Sequence, residues 1–430
     1  MTYPETLNYL FTKLPLFSKT GKSAYKKDIT NTVKLCAAIG DPQLRIKTIH
    51  IAGTNGKGSV SHMLAAVFQQ CGYRTGLYTS PHLKDFRERI KLNGEMISKD
   101  FVVDFVDKIR PVSEAINPSF FELTVAMALD YFAAQKTDIA IIETGLGGRL
   151  DSTNIITPVL SIITNIGYDH TDILGDTLEL IAFEKAGIIK PKVPVVIGEV
   201  IPETKDVFLS KAKECESPVT FSEEMFSIIR SVYNFANLQV SLQNISTSAI
   251  QNYLLDLNGI YQQKNIRTVL TAIEILNQMG FILGQSPVSA AFSNVKKLTG
   301  LHGRWDVINL DPVIVLDVAH NEDGIKQLTD QLLLCDYNNL HIVYGMVKDK
   351  DASKVLSLLP KFANYYFTKA QVDRALPEKE LIQKARCYGL AGRDFPEVND
   401  ALKAAVANSS EGDLILVCGS VFLIGEVNWP

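Results

Sequence analysis

The residues Gly53-Thr54-Asn55-Gly56-Lys57-Gly58-Ser59 lie between an apolar run, Ile49 to Ala52, and an amphipathic stretch, VSHMLAAVFQQCG. Glycines at 53, 56 and 58 let the backbone turn tightly so that successive N–H groups face one anion, and the helix start adds positive dipole potential. The phosphates of a nucleotide suit such a turn. Lys57 supplies a mobile cation for the β- and γ-phosphates, and Ser59 a hydroxyl for nucleotide-bound magnesium. The loop is a variant of GxxxxGK[ST], because Ile51 replaces the first glycine and Gly58 follows the lysine directly. A plain strand-to-helix turn is the alternative; the flanking strand and helix favour nucleotide binding.

Magnesium prefers oxygen ligands and keeps several waters. Glu143 ends the apolar run DIAIIE and precedes Thr144-Gly145-Leu146-Gly147-Gly148, so its carboxylate is expected at the carboxyl edge of a sheet, where open α/β sheets bind ligands. Ser80, after GLYT, and Asp169-His170, after IITNIGY, end two further candidate strands. The competing reading makes Glu143 a loop cap and His170 a hydrogen-bonded structural imidazole.

The elements that position these groups alternate. KTIHIAG, VSHMLAAVFQQCG and YRTGLYTS read as strand, helix, strand, and DIAIIETG, PVLSIITNIG and VPVVIGE as further buried strands, with a helix in DTLELIAFEKAGII. Asn93-Gly94 within ERIKLNGEMIS marks a hairpin. Residues 218–263 shift to Ser, Asn, Gln and Thr mixed with β-formers, which suggests a small antiparallel appendage on the first domain. The helix NIRTVLTAIEILNQMGF follows, and a boundary is expected near 299. PVIVLDVAH, LHIVYGM, NYYFTKA and DLILVCGS then restart the alternation. The expectation is an α/β protein with a parallel-sheet nucleotide-binding domain over 1–298 and a smaller Rossmann-like α/β domain over 299–430.

A chain of 430 residues is long enough for such a pair. Its composition, 46% hydrophobic and 21% charged, excludes a largely disordered or collagen-like chain. A net charge of −4 provides no basic field, so neither nucleic acid nor a membrane surface is an expected partner. The six cysteines include no CxxC pair, which fits a reducing cytoplasm. The first residues, MTYPETLNYLFTKLPLF, lack a basic segment followed by an apolar stretch, and neither export nor membrane insertion is expected.

HIAGTNGKGS, YTSPHLKDFRERI, SFFELT, ETGLGGRLDSTN, YDHTDILG, FEKAGIIK, HGRWD, DVAHN, KDKD and CGSVFLIGE follow one another from about residue 48 to the C-terminus. In that order they resemble the folylpolyglutamate synthase and dihydrofolate synthase branch of the Mur ligase superfamily. The GTNGKGS loop with SPHL and GLGGRLDSTN separates this branch from the peptidoglycan ligases. The resemblance implies that ATP phosphorylates a carboxylate of a pterin substrate and that the amine of L-glutamate attacks the acyl phosphate. The acid would be dihydropteroate, a reduced folate, or both. The alternatives are a single-activity folylpolyglutamate synthase, or a regulatory homologue that binds ATP without ligating.

Residue by residue, the resemblance implies a phosphate cradle of Thr54, Asn55, Gly56, Lys57, Gly58 and Ser59 and magnesium ligands Ser80, Glu143 and His170, with two magnesium sites. Lys185 matches a lysine that the family carbamylates; the plain alternative is an ammonium on a helix surface paired with Glu184 or Glu179. Lys57, Glu143, His170 and Lys185 would form the catalytic set. Asn265, Arg304 and Asp317 match nucleotide contacts, with His320 nearby, and an ion pair with Asp306 is the alternative for Arg304. The pterin side would draw on Pro81, His82, Phe120, Phe121, Glu122, Leu150, Asp151 and Ser152, although an aromatic such as Phe120 also suits an ordinary core. Tyr261 stands where many members carry histidine, and Glu322 where proline is usual. A monomer is expected.

Overall fold

The computed structural model describes residues 1–16, 28–348 and 352–428. Positions 349–351 of the KDKD segment therefore lie outside the described residues. The chain forms two compact units, one of residues 1–230, 241–253 and 263–300, the other of residues 231–240, 254–262 and 301–430.

The first unit is built on eight strands: β1 (Thr48–Ala52), β2 (Thr75–Tyr78), β3 (Ile90–Leu92), β4 (Glu95–Met96), β5 (Ile139–Glu143), β6 (Leu160–Ile163), β7 (Val195–Ile197) and β8 (Val219–Phe221). Their order is β4-β3-β2-β5-β1-β6-β7-β8. Every pair from β2 to β8 is parallel. Strands β1, β5 and β6 read TIHIA, IAIIE and LSII and are buried along their whole length, as expected for a parallel sheet covered by helices on both faces. Antiparallel β3 and β4 join the β2 edge around Asn93-Gly94, so the hairpin extends the sheet. Residues 219–221 also differ from the sequence reading: β8 pairs in parallel with β7 and belongs to this sheet, because Val219 and Phe221 complete its apolar edge.

The helix Lys57–Gln70 crosses from β1 to β2 and is buried continuously from Ser59 to Phe68. Gly76 on β2 is required by packing, since a Cβ there would lie 2.8 Å from the ring of Phe132. The next helix that bears on the site, Phe120–Ala134, begins with a capping box of Ser119 and Glu122. Strands β9 (Phe226–Tyr233), β10 (Leu238–Asn244) and β11 (Ile250–Leu255) form a separate sheet in the order β11-β10-β9.

The second unit carries β12 (Asp306–Leu310), β13 (Val313–Asp317), β14 (Leu340–Tyr344), β15 (Asn364–Phe367), β16 (Gly392–Asp394) and β17 (Leu414–Cys418), in the order β12-β13-β17-β14-β15-β16. All pairs are parallel except β12 with β13. Its core gathers Trp305, Val315, Ile342, Tyr344, Phe367 and Leu416. No disulfide links the six cysteines. No described helix is long and apolar enough to cross a membrane.

Candidate active site

In the first unit the carboxyl ends of the neighbouring strands β2, β5, β1 and β6, with the loops that follow them, carry Ser80, Glu143, the Gly53 loop and His170; Glu143 is the last residue of β5. The Gly53 loop is clamped to the segment that follows β6. Thr54 N donates to Asn165 O (3.0 Å), Asn55 N to Asn165 Oδ1 (2.8 Å), and Thr164 Oγ1 to Asn55 O (2.6 Å). The Thr54 hydroxyl both donates to Gly167 O and accepts from Gly167 N. The amides of Thr54 and Asn55 thus brace the loop, and the helix Lys57–Gln70 begins directly after Gly56. Gly56 caps that helix at φ +84°, a conformation that disfavours a side chain, and a Cβ there would meet Asn265 Oδ1 at 2.5 Å. Asn265 therefore stands beside the loop.

Two lysines lie against the loop. Lys57 Nζ donates to Gly53 O (3.0 Å) and Thr54 O (3.1 Å), and Lys185 Nζ donates to Gly53 O (2.8 Å). Lys185 is 4% exposed, which removes the helix-surface alternative. Burial, reinforced by the charge of Lys57 and opposed by Asp169 and Asp151, brings its ammonium down to about 7.

What brings Lys185 here is close packing between the glycine loop and the helix Leu178–Ala186. Arg149 N donates to Glu184 O, Arg149 Nη2 pairs with Glu184 Oε1 at 2.8 Å, and a Cβ on Gly148 would lie 2.8 Å from Lys185 O. Asp151 sets the shape of the glycine loop: its Oδ2 accepts from Gly145 N and Leu146 N, and its Oδ1 from Thr153 N and Thr153 Oγ1. Thr153 Oγ1 in turn contacts buried His50 Nε2 at 2.8 Å.

Glu143 is 4% exposed and accepts from Ser80 N at 3.2 Å, so these two proposed metal ligands are brought together. His170 sits half-buried at φ 49° before a short helical turn, with Nε2 3.8 Å from Asp169 Oδ1. Among the described residues no group of three or more His, Cys, Asp or Glu could alone hold a metal ion. A set of hydroxyl, carboxylate and imidazole with few carboxylates fits a hard cation that completes its shell with nucleotide oxygens and water.

The family model for the Mur ligase middle domain matches residues 51–273, and that for the Mur ligase, glutamate ligase domain matches residues 303–421. A Bacillus subtilis relative named dihydrofolate synthase/folylpolyglutamate synthase is 32% identical, with 94% of this chain and 95% of that protein covered. Mycobacterium tuberculosis folylpolyglutamate synthase complexed with ADP is similar at a TM-score of 0.87 and 29% identity, covering 98% of this chain and 96% of that one. E. coli FolC in complex with DHPP and ADP gives 0.86 and 26%, covering 99% and 96%. The chain belongs to the folylpolyglutamate synthase and dihydrofolate synthase branch of the Mur ligases.

In this Mur ligase several residues expected on the pterin side have work inside the fold. Phe120 is 2% exposed and stacks on Phe11, with Phe86 edge-on to it. Glu122 closes its own helix cap by accepting from Ser119 N. Asp151 and Ser152 are buried in the glycine loop and the turn after it, whereas Leu150, Phe121 and His82 are half-buried and Pro81 exposed.

In the second unit of this Mur ligase Asp317, at the end of β13, accepts from Trp305 N (2.7 Å), Ala319 N (2.8 Å) and the Tyr261 hydroxyl (2.8 Å). Burial raises its carboxyl, against the opposing charge of Arg304. Asp306 is instead engaged by His302 Nδ1 and Gly303 N, and Arg304 makes no ion pair with it. His320 Nδ1 lies 3.0 Å from Val318 O. Sequence reasoning missed the Thr164-Asn165 clamp and the Tyr261–Asp317 bond. The polar pair directly after the apolar run LSII was the available signal for the clamp; the bond, which joins residues far apart in sequence, had none.

Proposed function

We propose that this chain is an ATP-dependent amide ligase that joins L-glutamate both to dihydropteroate and to tetrahydrofolate (poly)glutamate, a bifunctional dihydrofolate synthase and folylpolyglutamate synthase. The observation that carries the reading is the convergence of Lys57 and Lys185 on the Gly53 carbonyl beneath the first helical turn. A phosphate arriving at that turn gives Lys57 a stronger partner than two carbonyls, and the ammonium can turn onto it. The full-length relative that carries both activities in its name supports the bifunctional form.

A carboxylate has no good leaving group, and phosphorylation by ATP provides one before the glutamate amine attacks. Ser80, Glu143 and His170 are assigned to hold magnesium, which when bound supplies positive charge against the transferring phosphoryl group. Lys57 is assigned to the β- and γ-phosphates, and Asn265, Arg304, Asp317 and His320 to the rest of the nucleotide. Lys185 is assigned as a carbamate: a partly neutral amine adds to carbon dioxide, forming an N–C bond and releasing a proton, and becomes an anion suited to a second magnesium. The ATP- and pterin-binding domain is placed at 1–298 and the glutamate-ligase domain at 299–430. The enzyme is read as cytoplasmic and monomeric.

The test is ADP release by purified protein offered ATP, magnesium and glutamate, with dihydropteroate and tetrahydrofolate supplied separately and products weighed by mass spectrometry. ADP formed at the same rate without acid and glutamate would refute ligation.

A further inference from the structure

Arg89 is a buried cation without a counter-ion. It is 7% exposed, directly before β3, and its Nε donates to His82 Nδ1 at 2.8 Å. His82 cannot balance the charge, because it takes that bond as an acceptor on Nδ1 and an imidazole carries no negative charge. The carboxylate nearest in sequence, Glu88, uses both oxygens on the amides of Leu83, Lys84 and Asp85. Asp85 pairs with Arg87. Glu143 is close enough to influence Arg89 but forms no ion pair with it. Among the described residues no carboxylate forms an ion pair with Arg89; its guanidinium faces the buried hydroxyl of Tyr78, a neutral partner.

A guanidinium stays charged at any accessible pH, and a buried unpaired charge is costly. Its fork, which no anion of the chain occupies among the described residues, matches a carboxylate. Position decides which one. Arg89 directly precedes β3, three strands from β1 in the order β3-β2-β5-β1, hence about 14 Å along the sheet from the phosphate loop, with Glu143 of β5 between them. The backbone bond from Thr79 N to Arg89 O fixes it beside the Ser80–His82 loop, and its guanidinium lies 5.2 Å from the Phe120 ring centroid. We infer that Arg89, with Tyr78, receives the carboxylate of the acid substrate across Glu143 from the nucleotide. The inference rests on the ligase reading above and adds a substrate-contacting residue to it.

The experiment measures equilibrium binding of dihydropteroate and of its descarboxy analogue, the anilinomethyl dihydropterin, to wild type, Arg89→Gln and Arg89→Lys, together with KM for each substrate. Wild type should prefer the carboxylate ligand about 10- to 100-fold. Arg89→Gln should lose that preference while its affinity for the analogue stays within twofold, Arg89→Lys should fall between, and KM for ATP should not move. Parallel weakening of both ligands, an intact preference in Arg89→Gln, or a rise confined to KM for glutamate would overturn the assignment. Should Arg89→Gln fail to melt cooperatively, the Arg89→Lys comparison decides. Wild type with neither pterin binding nor glutamate-dependent turnover would instead sink the ligase reading, and this inference with it.

Discussion

Lys57 and Lys185 share one acceptor: the carbonyl oxygen of Gly53 takes a hydrogen bond from each ammonium, at 3.0 and 2.8 Å. Burial, reinforced by the like charge of Lys57, favours the neutral form of the deeper amine, Lys185. On the proposed assignment Lys57 is the cation for phosphate and Lys185 the nucleophilic amine.

Lys185 should leave its mark on the pH dependence of stability. Its proton is held down to about 7 in the folded protein, from an ordinary 10.5. Between those values the unfolded chain binds more protons, so this group's contribution to stability rises with pH across that window and is lost as pH falls toward 7. Thermal melts of wild type and Lys185→Met should show the wild type gaining on the variant from pH 7 to pH 10. A constant difference would contradict it.

Carbamylation gives a separate readout. Protein equilibrated with 13C-labelled carbon dioxide should show one slowly exchanging carbamate resonance that Lys185→Met lacks.

Lys57→Ala should lower turnover by about 10²- to 10³-fold while the melting temperature changes little, because the ammonium is half-buried and the Gly53 and Thr54 carbonyls that it bonds can be satisfied by water. Steady-state kinetics alongside calorimetry checks both halves of the statement.

Gly53→Ala should destabilise the protein by about 2–4 kcal/mol, since the added Cβ would stand 1.8 Å from Thr164 Oγ1 at a φ of +150°. Urea unfolding measures the loss, and Gly53→Ala with Thr164→Ala should recover part of it.

Tyr261→Phe removes a donor from buried Asp317 but leaves the Trp305 and Ala319 amides in place. The expected result is a rise of about three- to tenfold in KM for ATP with kcat nearly unchanged. A fall in kcat alone would exclude Tyr261 as a positioning residue for the nucleotide contact.

Much of the fold was legible because largely apolar runs such as TIHIA and IAIIE admit few arrangements other than parallel strands buried on both faces. Ser80, Glu143, the Gly53 loop and His170 were legible as residues of one sheet edge because each stands at the end of a strand or in the segment after it. Val219 to Phe221 were misread because three residues carry no periodicity, and only their pairing with β7 reveals the strand. Arg89 escaped notice because RER reads as a solvated basic stretch; its burial comes from the turn that folds it against His82 and Phe120. Phe120 showed the reverse weakness, since a motif can mark an aromatic ring without indicating that Phe11 and Phe86 already cover it.

The interlock between Gly53 and Thr164 has a temporal consequence. A loop stitched through Asn55 and Gly53 to the neighbouring strand end has little slack to widen, so the proposed seat keeps one shape for ATP and for ADP. Discrimination between fresh and spent nucleotide then falls to whatever senses the terminal phosphate, and Lys57, the side chain there with somewhere else to rest, is suited to report its departure.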